Sequence, residues 1–519
     1  MNELRSPSQT THLVIPRSIA STAYDTAWVA SLPDPADPCR PRFPAAMEWL
    51  IGQQLPDGSW GGAICYQHDR ILSTLAALLP LIRFHEYESA HLALQRAQSY
   101  IWRNAHLLRS EICELVGFEL LLPALVRQAA QAGIQLPAYL DVYAAERARK
   151  LALIPPELMY SPTITLIHSL EFLGDDGEPG RMLMAQNSNG SIGNSPAATA
   201  YLLHLVENPA AVGYLEDCLA SDGGAAVTVL HPCETYDLLW SAYHRFLGGM
   251  PAQQLLSPTV CAGLQRGLTE NLGISLSPSF PIPDADNTSI ALLLLAAQNQ
   301  PVSFAALDRF ERPDCFASFP YERHPSTGVN IHVLDALKWM PPGPEREARM
   351  IKILTFLADT RVNRTYWVDK WHISPYYATA HALIAFENLD LPAPYDRLVA
   401  ELAGTAMDWI KYTQNADGSW GFYQRPTSEE TAYVLLSASR WQHFGHMPDR
   451  SLIQRGMTYL LEQRDAVPPP LWIDKCLYTP TNIVTAVVEA AMRSCKPLWK
   501  RSWPGKTRYT YATSANTAG

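Results

Sequence analysis

The stretch Pro281-Ile282-Pro283-Asp284-Ala285-Asp286-Asn287-Thr288-Ser289-Ile290-Ala291-Leu292-Leu293-Leu294-Leu295-Ala296 decides how the chain folds. Its prolines hold the approach extended, two carboxylates and an Asn follow, and then an almost purely apolar run begins. That order is a polar loop feeding a helix buried on every side. A lone Asp at a helix start is ordinarily a cap, favoured by the helix dipole. A cap uses one side chain, however, and here four polar groups crowd the entrance of a helix with no polar face for two turns. A carboxyl group in that apolar setting, beside a second carboxylate, is pushed toward its protonated form. It then suits the role of a Brønsted acid toward an apolar substrate.

Outward from this stretch the chain repeats itself. Trp49-Leu50-Ile51-Gly52-Gln53-Gln54-Leu55-Pro56-Asp57-Gly58-Ser59-Trp60-Gly61 and Trp409-Ile410-Lys411-Tyr412-Thr413-Gln414-Asn415-Ala416-Asp417-Gly418-Ser419-Trp420-Gly421 share Trp, Gln and the Asp-Gly-Ser-Trp-Gly run in one register. A worn copy runs from Gln186 to Gly193, and each copy precedes a helix start carrying Thr74, Thr199 or Thr431. The same slot recurs at Thr379 and, by position, at Thr288. Helical hairpins joined by a loop of fixed chemistry predict a closed helical array, so the fold is read as an all-α barrel without strands of useful length. In the repeat, Gly ends the outer helix, Asp and Ser satisfy exposed helix ends, and Trp and Gln pack between helices. The acid motif occupies one repeat's loop, where function varies over a constant scaffold.

With 519 residues the chain is long enough for two or three large cores, and 47% hydrophobic against 17% charged residues predicts a well-packed globule. A net charge of −10 excludes general nucleic-acid binding. The nine Cys form no CxxC pair, as expected of thiols in a reducing compartment. No apolar run approaches membrane-spanning length and the first residues lack a signal-peptide h-region, so the expected location is cytoplasmic.

At this point the residues resemble a known family, the class II diterpene cyclases related to copalyl diphosphate synthases. The likeness rests on Tyr24 to Ala30, both Gln-Trp motifs, Ser161 to Glu171, Asp284-Ala285-Asp286-Asn287-Thr288, and Asp369 to His381. It implies two α/α-barrels, with the first segment of a domain called β at 1–30, an inserted γ barrel at 31–250, the main part of β with the acid motif at 251–500, and a tail at 501–519. It implies protonation of geranylgeranyl diphosphate and closure to a bicyclic diphosphate of copalyl, kolavenyl or halimane type, with the diphosphate retained. A farnesyl substrate giving a drimane skeleton is the alternative, and a non-catalytic helical barrel is a third reading. A zinc-dependent prenyltransferase subunit fits less well, because Asp474-Lys475-Cys476 is followed by no His.

The same resemblance assigns roles. The family motif is Asp-x-Asp-Asp with the middle Asp as acid, which is Asp286 here, flanked by Asp284; Asn287 stands where the family has its last Asp. Asn287 removes a like charge and keeps hydrogen-bonding capacity, so Asn287→Asp is expected to be tolerated or to raise the rate. Ser326 and Asn330 match the hydroxyl and Asn that hold the acid's other oxygen. Trp240, Trp367, Trp371, Tyr376 and Tyr377 are the expected aromatic wall, each with core packing as its plain alternative. Lys150 and, second, Lys475 are the expected diphosphate cations, with a solvated helix face as the alternative for Lys150. Glu111 and Glu114 are the expected ligands of Mg2+. His168 corresponds to the His of the family's His–Asn water-holding base, but the Asn position is Val229, so the dyad is broken. A product still carrying its diphosphate calls for a downstream class I synthase or phosphatase as functional partner.

Overall fold

The computed structural model describes residues 18–499 except 88, 112, 222, 447 and 448; the tail expected at 501–519 lies outside the described residues. The first half holds α1 (Ala23–Ala30), α2 (Pro44–Gly52), α3 (Gln67–Arg83), α4 (Ala90–Asn104), α5 (Phe118–Gln131) and α6 (Val142–Leu151). A 310 segment (Thr165–Asp176), α7 (Pro179–Met184), α8 (Pro196–Leu205) and α9 (Pro209–Ser221) complete it. Here α1, α3, α5, the 310 segment and α8 touch in sequence and close back on α1, while α2, α4, α6, α7 and α9 back onto them. This is a closed α/α-barrel.

The second barrel begins at α10 (Glu234–Leu247), followed by α11 (Pro258–Glu270), the hairpin β1 (Ile274–Ser277) and β2 (Phe280–Asp284), α12 (Ala285–Ala297), α13 (Thr327–Leu337) and α14 (Pro344–Asp359). It ends with α15 (Pro375–Phe386), α16 (Tyr395–Tyr412), α17 (Ser428–Ala438), α18 (Arg450–Glu462), the hairpin β3 (Trp472–Ile473) and β4 (Leu477–Tyr478), and α19 (Thr481–Trp499). Its inner ring runs α10, α12, α13, α15, α17, α19 and back to α10. The all-α, two-barrel expectation holds. Its boundaries shift: α1, assigned above to the second unit, closes the first ring, and α10, assigned to the first, closes the second.

The repeat supplies the ring its rigidity. Trp60, Trp367 and Trp420 each donate their indole N–H to a carbonyl ten residues back, that of Leu50, Leu357 and Ile410. Their backbone N–H groups donate to Thr74, Thr379 and Thr431 on the next inner helix. In the worn copy Ile192 N–H donates to Thr199. At the acid motif Thr288 accepts from Ile274 N, so the β1–β2 hairpin replaces the loop while the register persists. Two short hairpins are thus the departure from a strand-free chain, and β2 is the extended approach read from the prolines.

Candidate active site

Asp284 ends β2 and caps α12. Its Oδ1 accepts from Asn287 N at 2.7 Å, and its Oδ2 accepts from Asn287 Nδ2 at 2.7 Å. Burial, with the charge of Asp286 beside it, pushes the Asp284 carboxyl up to about 7. Asn287 is therefore a donor to Asp284, with its own Oδ1 buried and unpartnered. An Asp there would set two carboxyl groups in contact, held by the backbone N–H of residue 287 and a proton shared between them.

Two residues on from Asp284, Asp286 turns the other way. Its Oδ1 accepts from Nδ1 of His332 at 2.7 Å, and its Oδ2 takes no protein hydrogen bond among the described residues. The holder is thus His332, not Ser326 or Asn330. Two residues apart on a helix, Asn330 and His332 point roughly 200° apart, so one faces the acid and the other cannot. Asn330 spends both ends of its amide on backbone, bonding Phe316 N, Phe316 O and Ser326 O. Ser326 caps α13 and donates to Asp369 at 2.6 Å. Asp369, also held by Gly328 N, is itself pushed upward by burial, with the charge of Asp286 adding to it. The signal for His332 was present: in Thr327–Leu337, His332 and Asp335 form one polar stripe on an apolar helix.

Behind the acid lies a cage of rings on α10, α13, α15 and α17. Trp240 meets His332 edge-on at 4.9 Å and Trp472 at 5.6 Å, and Tyr377 stands 5.3 Å from Trp472. Burial, and then the charge of His332, pushes His244 down to about 3 and His381 well below its ordinary value, so both line the cage as neutral rings. Of the expected wall, Trp240 and Tyr377 belong to this cage. Trp371 lies at its mouth, its indole N–H donating to Ser318, whose carbonyl accepts from Ala285 N. Trp367 does not join them, because its indole is spent on the repeat. Tyr376 stacks on Trp409 of the outer helix α16 at 4.7 Å, since it lies about 100° round the helix from Tyr377.

Lys150, on α6, is held by Glu119. The sequence reading missed its counterpart Lys370, which contacts Glu322 and lies 4.9 Å over the Trp371 ring. Burial, and then the positive charge of Lys150, push the Lys370 ammonium down to about 7. Lys475 is elsewhere and fully buried, with Nζ 2.9 Å from Glu171, 2.5 Å from Ser195 Oγ and 3.5 Å from Asp25. It is a core ion pair between the barrels and reaches no substrate.

His168 is spent in the same interface. Nδ1 donates to the Gly193 carbonyl at 2.8 Å and Nε2 donates to Asp474 at 3.1 Å. Burial opposes the charged ring and Asp474 favours it, and on balance the His168 pKa is raised. Both ring nitrogens are taken by the protein, which leaves none to hold a water for a departing proton, and Val229 is fully buried, so His168 is a satisfied core residue. Glu111 and Glu114 line a 430 Å³ cavity of the first barrel with Arg109, Tyr143 and Glu146. Glu111 already accepts from Gln67 N, and among the described residues no three metal-ligating groups converge. These two carboxylates do not by themselves fit a metal cage. No described helix is long and apolar enough to cross a membrane.

Comparison with known proteins agrees with this fold. Residues 287–483 match the squalene-hopene cyclase C-terminal domain. The chain is 33% identical over 503 residues to a type B diterpene cyclase of Mycobacterium tuberculosis, covering 92% of this chain and 95% of that one. It is 28% identical over 512 residues to a (+)-kolavenyl diphosphate synthase of Herpetosiphon aurantiacus, covering 91% and 93%. The solved structure of ent-copalyl diphosphate synthase from Streptomyces platensis matches with a TM-score of 0.73 at 28% identity, covering 92% of this chain and 95% of that chain.

Proposed function

The chain belongs to the class II diterpene cyclases, and on that premise we propose that Asp286 protonates the terminal alkene of geranylgeranyl diphosphate to start its closure to a bicyclic diterpenyl diphosphate. The observation that carries this is the asymmetry of Asp286, whose Oδ1 is taken by His332 and whose Oδ2 is left for a proton aimed at the substrate. The proton moves to the terminal alkene carbon, and the resulting tertiary cation is captured by two further alkenes in turn. Loss of one proton then restores an alkene. The diphosphate stays on carbon throughout. Trp240 and Tyr377 offer ring faces that stabilise the cations without quenching them.

Lys150 and Lys370 are the cations for the diphosphate, exchanging Glu119 and Glu322 for the phosphate oxygens. Magnesium belongs to this reading only as a counter-ion of the diphosphate, and no step is routed through it. With His168 and Val229 unable to hold a basic water, the product is a copalyl diphosphate outside the ent series made by that dyad, or a rearranged kolavenyl or halimane skeleton. A class I synthase or a phosphatase consumes it.

The test is incubation with geranylgeranyl diphosphate, with farnesyl diphosphate as comparator, and chiral chromatography of the dephosphorylated alcohols. A bicyclic alcohol with no release of inorganic pyrophosphate is expected, and Asp286→Asn abolishes it without loss of helicity. Pyrophosphate released at the rate of substrate loss, or more than a few per cent of turnover in Asp286→Asn, would sink the assignment.

A further inference from the structure

The repeat that places Asp286 also places a second buried carboxylate. Counting back two residues from the Thr that marks each inner helix start in the second barrel gives Asp286 before Thr288, Tyr377 before Thr379 and Glu429 before Thr431. The local geometry around Asp286 and Glu429 is the same. Asp284 and Thr427 cap their helices by accepting from Asn287 N at 2.7 Å and Glu430 N at 3.0 Å. Asn287 and Glu430 each bond back to that cap's side chain at 2.7 Å. Each carboxylate then meets one histidine, His332 at 2.7 Å for Asp286 and His372 at 3.2 Å for Glu429. Glu429 thus faces the barrel interior in the register of the acid.

Its surroundings differ in one respect. Glu429 is fully buried, and its Oε1 accepts from Trp472 Nε1 at 2.7 Å, His372 Nε2 at 3.2 Å and Tyr433 OH at 3.2 Å. His372 Nδ1 accepts from Ser374 N, which fixes the proton on Nε2 and makes the ring a donor to Glu429. Oε2 is buried without a partner. All three donor rings lean on Tyr377, His372 stacked at 4.6 Å and Trp472 and Tyr433 at 5.3 Å. Enclosing a carboxylate with one oxygen unpaired is costly, and a hydrophobe of the same volume would pack there without that cost.

We propose that Glu429 is a positioning and specificity-determining residue: it locks Trp472, His372 and Tyr433 into the cage wall and sets a negative charge behind them, which decides where the bicyclic cation rests before it loses its proton. A negative charge behind the rings strengthens the attraction of their faces for a cation, and fixed rings hold that attraction in one place. The inference rests on the cyclase reading.

The test compares wild type, Glu429→Gln, Glu429→Asp and Trp472→Phe with geranylgeranyl diphosphate, following products, kcat, KM and thermal midpoint. Expected for Glu429→Gln is a kcat lower by about tenfold with KM within about twofold, and a mixture in which isomeric or hydroxylated diphosphates form a substantial share. Trp472→Phe, which keeps a ring and removes the donor, shifts the products the same way, and Glu429→Asp restores part of the wild-type pattern. A wild-type product pattern in both Glu429→Gln and Trp472→Phe overturns the proposal, as does an activity loss that tracks the thermal midpoint with products unchanged. Should Glu429→Gln fail to fold, the products of Trp472→Phe alone decide. Absence of turnover in the wild type would instead defeat the cyclase reading itself.

Discussion

His332 gives Asp286 its direction, because a carboxyl group with one oxygen bonded to a fixed imidazole presents the other oxygen and nothing else. His332→Phe keeps a ring against Trp240 and removes the donor. It should lower kcat by about 10²–10³ with little change in KM, read from steady-state kinetics. Ser326→Ala, which disturbs Asp369 instead, should cost far less. Asp284 makes a prediction about stability. Its carboxyl is raised by burial, from 3.8 to about 7, so the native state binds this proton more tightly than the unfolded chain does. Its contribution is full below the unfolded value and is lost as pH rises from about 4 to about 7. Asp284→Asn keeps the cap and removes the titration, so urea unfolding across that range should show a flatter profile than wild type, by on the order of a few kcal/mol.

At the scale of the element, the repeat loop is a joint between an outer and an inner helix, made by one indole and one threonine. Trp420 donates to Ile410 O at 2.9 Å and is fully buried. Trp420→Phe removes that bond and part of the ring, and should lower unfolding stability by about 1–3 kcal/mol while leaving the product pattern of the remaining folded enzyme unchanged. The loop is also how the site is built. Where β1 and β2 replace it, the same threonine joint holds, and the freed loop end carries Asp284 and Asp286 instead of a Trp-Gly turn.

Across the whole molecule, the β3–β4 hairpin ties the two barrels together. Trp472 at one end stands in the cage, Lys475 is buried between Asp25 and Glu171, and the partly exposed Asp474 pairs with His168 of the first barrel. Against the downward pull of burial, Glu171, Asp25 and Asp474 hold the Lys475 ammonium above its ordinary value. Removing one partner leaves buried charge without compensation. Lys475→Met should therefore destabilise the protein by about 3–5 kcal/mol, and adding Glu171→Gln should recover part of that loss in denaturant titrations.

The sequence alone determined the features that obey a local rule. The extended prolines, the capping Asp, the helix buried on every side and the recurring Gln-Trp loop all follow from spacing and side-chain chemistry, and they lead to a helical barrel with a carboxylate pair at one loop. The second barrel and the roles expected of Asp286, Trp240, Tyr377 and Lys150 came from the family resemblance instead, and the structure sets Trp240 and Tyr377 among the rings around His332. Trp367, Tyr376 and Lys475 were placed in the site because an aromatic or charged residue near a motif looks the same whether it faces the axis, the outer layer or the other barrel. Only the closing of each ring decides which. The polar stripe of His332 and the threonine register of Glu429 stand in the sequence, but only tertiary structure brings His332 to Asp286 and the donors of Trp472 and His372 to Glu429. Those pairings join residues on different segments, and no interaction along the chain records the angle at which the helices meet.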